Sequence, residues 1–283
     1  MTELVGALAL GALALLGFWI SWRNNLFSLP FGEKWEIPIR LPHVIGAFSL
    51  YFFFSFLVSF LFHSVFQVNQ NNFLKVSNWF SFIASSCVFA SLFIYWKILP
   101  ERAKMGVAGR AFEKDEFGKD CFFALLALLA AFPLVLFLNQ LIELTLTYVF
   151  QITQIPDQLA VRYLKATFGH PLYLLLATSA IIVLAPLTEE TLFRGFLQSF
   201  IRQHLGVKQA VIITSACFSL FHYSSQQGLG NLPIVGSLFI LSLFLGFLYE
   251  RQRSLLAPII LHALFNSISV LNLYFLGGFS GGI

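Results

Sequence analysis

Pro186-Leu-Thr-Glu-Glu-Thr-Leu-Phe-Arg-Gly195 sets two adjacent carboxylates and a guanidinium inside a stretch that is otherwise compatible with hydrocarbon. Between His170 and Phe200 the only charged side chains are Glu189, Glu190 and Arg194, and each costs about 2.5 kcal/mol or more at bilayer depth. On a helix Glu190 and Arg194 stand at i and i+4 and form a charge-assisted pair, whereas Glu189 points about 100° away with its oxygens free. One carboxylate is then structural and the other available for chemistry. A helix that leaves the membrane here, with all three charges in water, explains the same residues, so the neighbouring segments decide.

Those segments are apolar. The 283 residues are 58% hydrophobic and only 11% charged, with 35 phenylalanines and a mean hydropathy of +0.81. A soluble domain carries about one-quarter charged residues, so this composition describes a polytopic membrane protein of all-α class. The net charge of +4 does not point to nucleic acid, because the basic residues lie in short loops where they set topology. Cys87, Cys121 and Cys217 have no paired spacing, which argues against a disulfide framework or a thiolate metal cage. The run Leu4 to Trp22, preceded by Glu3 and followed by Arg23, reverses the charge order of a secretory signal and reads as a first span.

With roughly 20 apolar residues needed per crossing, about eight transmembrane helices are expected: 4–22, 43–66, 79–99, 121–142, 170–190, 207–223, 233–250 and 255–276. The charged segment 100–120 reads as a cytoplasmic loop, and 144–155 either extends the fourth helix or lies along the outer interface. The chain divides into residues 1–169, with four helices and no motif, and a core over 170–276. Of the 17 lysines and arginines, all but Lys75, Arg162 and Lys165 fall on one side of this arrangement, which puts both termini outside and the charged loops in the cytoplasm.

Three further polar residues interrupt the last spans. His222 closes Phe218-Ser-Leu-Phe-His222, and His262 and Asn266 share a helix face in His262-Ala-Leu-Phe-Asn266. A lone histidine at a helix end is also well explained by an interhelical hydrogen bond. Depth separates the two explanations: Glu189 and His222 each lie about 16 residues, or roughly 25 Å, from a turn near Leu205-Gly206. His262 and Asn266 lie roughly 14 and 20 Å below the same side. All can meet in one cavity, provided that 191–204 continues the fifth helix, with Pro186 and Gly195 marking kinks.

Glu189-Glu190-x-x-x-Arg194, Phe218-x-x-x-His222 and His262-x-x-x-Asn266, in this order on successive helices, resemble the signature motifs of the type II CAAX prenyl endopeptidases and their bacterial relatives. Those relatives are the CPBP intramembrane proteases, a group that includes bacteriocin-processing and Abi proteins. The resemblance covers about 170–275. It implies a conical chamber in the C-terminal four helices, open to cytosol and bilayer, in a bacterial plasma membrane. It further implies that Glu189 is the general base, His222 its partner in holding water, and His262 and Asn266 the oxyanion donors, with Glu190 and Arg194 shaping the site. The chemistry is consistent: a carboxylate in a low-dielectric cavity suits proton exchange, and preorganised donors are worth about 3 kcal/mol each at a tetrahedral intermediate. Family members have been described both as metalloproteases and as glutamate proteases. Glu189, His222 and His262 form a candidate zinc set, yet there is no His-Glu-x-x-His helix and Asn266 is a poor zinc ligand. The reading adopted is therefore water activation without a metal.

The expected substrate is a membrane-associated peptide or lipidated protein, prenylated CAAX-type proteins among them. Two other classes stay open at this point: an ion-coupled transporter, because buried Glu, His and Arg also mark proton relays, and a non-catalytic immunity or scaffold protein of the same fold.

Overall fold

The computed structural model describes residues 2–29, 38–66, 72–111, 113, 116–152 and 159–277. It is helical, and among the described residues there is no strand, only an isolated bridge between Gly109 and Ser254. The helices are α1 (Thr2–Arg23), α2 (Leu41–Val65), α3 (Phe73–Ile98), α4 (Glu101–Ala108), α5 (Phe117–Tyr148) and α6 (Leu159–Ala166). They are followed by α7 (Pro171–Leu205), α8 (Val207–Phe221), α9 (Asn231–Gln252) and α10 (Leu256–Leu276). Seven of these are long and apolar enough to cross a membrane, and α8 is a shorter apolar helix. The protein is an integral membrane protein of all-α class. Fifteen residues give α8 a length of only about 22 Å, so the expected sixth crossing is shorter than a bilayer core.

Two expected loops contain helices. The segment 100–120 holds α4 and the start of α5, because Ala103, Val107 and Ala108 bury an apolar face that charge counting overlooked. The stretch between α5 and α7 holds α6, whose Leu164 is buried. The extension of α5 reaches Tyr148, while 153–155 lie outside the described residues, as do Lys34 and Lys114 of the topology count.

α5 forms the spine of one packing layer, against α1, α9 and α10. Ala124, Ala127, Ala130 and Ala131 are fully or almost fully buried there, because small side chains let helix backbones approach in a medium that offers no hydrophobic drive of its own. Gly17 takes this furthest: a Cβ at that position would lie 2.0 Å from the Leu129 carbonyl oxygen. A second layer gathers α2, α3, α4, α7 and α8 around Leu92, Val107, Phe193, Phe196, Phe218 and Tyr249. Phe53, Phe56 and Phe60 of α2 are exposed, as side chains that meet lipid are.

α9 joins the layers. It runs parallel to α7 with a constant offset of 48 residues, marked by Arg194 against Ser242, Gln198 against Gly246, and Arg202 ion-paired with Glu250 at 3.1 Å. The stripe Arg194, Gln198, Arg202 is therefore an interhelical ladder, and α7 is one continuous rod to Leu205, ended by Gly206 at φ +83°.

Candidate active site

The rod α7 is not α-helical throughout. It runs α over Pro171–Ser179, π over Ala180–Leu184, α over Ala185–Glu190, π over Thr191–Gln198 and α again over Ser199–Leu205. Wide π turns cluster at functional sites, and here they flank the six residues that end in the two glutamates. Gly195, expected at a kink, lies within the second π segment where α4 crosses: a Cβ there would come 2.7 Å from Val107 Cγ1.

The glutamates have separate environments. Glu190 and Arg194 are both fully buried and joined at 3.1 Å. Arg194 also donates to Ser242 Oγ at 2.7 Å and to the Ser242 carbonyl at 3.2 Å, and its guanidinium lies 4.7 Å over the Phe218 ring. The same Glu190 oxygen accepts from His262 Nδ1 at 2.8 Å. Glu190 thus holds one residue from each of two motifs, a link that helix spacing alone does not reveal.

Glu189 keeps 17% of its side chain exposed, and its Oε2 lies 3.7 Å from His222 Nε2. That is too long for a hydrogen bond, and Oε2 is buried without a hydrogen-bond partner. His222 is the residue that caps α8. Its Nδ1 donates to the Phe218 carbonyl at 2.9 Å, so the neutral ring carries its lone pair on Nε2, toward Glu189. Carboxylate and imidazole are then two acceptors that face each other 3.7 Å apart without satisfying each other.

Phe218 is fully buried and touches the site on three sides: Arg194, His222 at 4.9 Å and His262 at 6.0 Å between ring centroids. Asn266 donates from Nδ2 to the Ile181 carbonyl at 2.9 Å. Sequence reasoning missed Tyr51. It comes from α2, stacks edge-on against Phe221 at 5.3 Å and stands within electrostatic reach of the Glu189 carboxylate. No motif marks it, because it is one aromatic residue among many in α2.

The candidate zinc set does not assemble. Among the described residues no three His, Cys, Asp or Glu side chains gather closely enough to hold one ion.

The site thus sets a carboxylate–imidazole pair beside a buried ion pair, among helices long and apolar enough to cross a membrane. Residues 171–268 match the family model of the type II CAAX prenyl endopeptidases, Rce1-like. The matched segment carries all three motifs, and the family is the one that they resemble. It is a protease family, and the match supports a peptidase role. No curated protein and no solved structure matches the chain.

Proposed function

We propose that the protein is an intramembrane endopeptidase in which Glu189 and His222 jointly hold and activate the attacking water. The observation that carries this reading is the 3.7 Å separation of Glu189 Oε2 and His222 Nε2, each an acceptor and neither satisfied by the other. The water oxygen, with its protons turned to the two acceptors, presents a lone pair to the scissile carbonyl. As the C–O bond forms, Glu189 takes a proton. It returns that proton to the leaving amine as the C–N bond breaks. His262, anchored through Nδ1, donates from Nε2 to the oxyanion when both ring nitrogens are protonated, and the second N–H of Asn266 adds to it. No step is routed through a metal.

The substrate class is a membrane-associated peptide or lipidated protein, prenylated CAAX-type chains included. The chamber opens to the cytoplasm of a bacterial plasma membrane. In reporter fusions, alkaline-phosphatase activity is expected after Ile283 and absent at Lys114; the reverse overturns the orientation. Purified protein should cleave a membrane-anchored peptide after exhaustive chelation, with metal content measured on the same sample. Stoichiometric zinc whose removal reversibly abolishes cleavage would sink the metal-free mechanism.

A further inference from the structure

The proposed chemistry asks only that Asn266 donate to an oxyanion, yet its amide already has a partner on the glutamate helix. In the first π segment the backbone follows i to i+5 bonding, as the Ala185 N–H donating to the Ala180 carbonyl shows. The next bond in that register runs from residue 186 to the Ile181 carbonyl. Residue 186 is proline and has no N–H to give. The Ile181 carbonyl is the acceptor that Asn266 Nδ2 reaches at 2.9 Å, from another helix and 85 residues away.

We infer that Asn266 is a positioning residue: its side-chain amide replaces the backbone donor that Pro186 lacks, and so locks the π register that sets the rotation of Glu189 and Glu190. A π turn holds about one residue more than an α turn, so collapse to the α form turns the two sides of the segment by about 100° relative to each other. Glu190 is tied to Arg194 and His262. The rotation therefore works against those ties and draws Glu189, the next residue, from its place opposite His222. Orphaned carbonyls in a membrane interior are poorly tolerated, because water is not there to satisfy them, which gives the proline and the asparagine a shared reason to be present. His262 and Asn266, four residues apart on α10, then steady the same helix at two heights: His262 at Glu190, below the first π turn, and Asn266 within it.

The catalytic consequence rests on the peptidase reading, but the lock does not, and a thermal double-mutant cycle reads it without substrate. Full-length wild type, Asn266→Ala, Pro186→Ala and the double variant are compared in detergent. Asn266→Ala should lower Tm by about 5 °C, as expected for stranding one buried acceptor. In the Pro186→Ala background, which restores an N–H at 186, the same change should cost less than half of that. Equal losses in both backgrounds overturn the proposal. Asn266→Asp, which keeps the shape but loses the donor, runs the same cycle if the alanine variant does not fold. Cleavage of a membrane-anchored peptide by the four proteins gives the second readout. A fall of roughly 100-fold in kcat for Asn266→Ala, shrinking to under about 10-fold beside Pro186→Ala, is the signature of positioning. An undiminished fall, with no thermal coupling, assigns Asn266 to the substrate alone.

Discussion

Glu189 and Glu190 are chemically identical neighbours that the fold treats as different reagents. Glu189→Gln keeps size and removes the carboxylate proposed as the base, so turnover of a membrane-anchored peptide should be lost while Tm stays near wild type. Glu190→Gln strands the fully buried Arg194, for which about 3 kcal/mol of stability is the typical loss. It also leaves His262 a neutral amide oxygen in place of a carboxylate, a weaker anchor, so activity falls for two reasons. Adding Arg194→Met removes the stranded charge and should restore part of the stability without restoring turnover, because the anchor of His262 stays weakened. Melting curves and cleavage on the same four proteins check this. A Glu189→Gln protein that cleaves normally, or that is the less stable of the two single variants, reverses the assignment. Phe218→Ala opens a cavity beneath Arg194, His222 and His262, with an expected loss of about 3–5 kcal/mol, read by chemical denaturation.

At the scale of elements, close approach sets the tolerance. Gly17→Leu drives a side chain into the Leu129 carbonyl and should separate α1 from α5, costing about 1–3 kcal/mol, measurable as a fall in Tm in detergent. The spans were legible in the sequence because apolar length is a one-dimensional property. So was the continuation of α7 past Gln198, since Arg194, Gln198 and Arg202 recur at helical spacing. The i and i+4 contact of Glu190 with Arg194 follows from that same spacing. The third partner of Glu190 was not legible, because His262 lies 72 residues away and the contact depends on how α10 rotates against α7. Nor were the π segments, which leave the composition of a helix unchanged. α4 was hidden for another reason: its charged residues lie on the face opposite Ala103 and Val107, so the segment reads as a loop by charge alone.

The molecule as a whole does not separate cleanly at residue 169, although its motifs do. α5 packs along α9 and α10, and at one end of the bundle Arg251 donates to the carbonyls of Asn25 and Leu26 while its guanidinium lies 3.4 Å over Phe123. Buried Asp120 accepts from Gln252 and Ser254 at the turn between α9 and α10. Residues 170–283 expressed alone should therefore aggregate in detergent, and co-expression of 1–169 should recover a monodisperse particle on size exclusion. A monodisperse, active fragment would show that the first half is dispensable. The fully buried Arg194 has a consequence in time as well as in space. Glu190 stands one turn before Arg194, so α7 carries the counter-charge of its own guanidinium from the moment it is made and waits for no later residue to supply it. Ser242, His262 and Asn266 follow only as the ribosome moves on. A chain halted after Ser254 thus has Glu189 and His222 but lacks His262 and Asn266, the donors proposed for the oxyanion, and in nanodiscs it should be inert toward a membrane-anchored peptide.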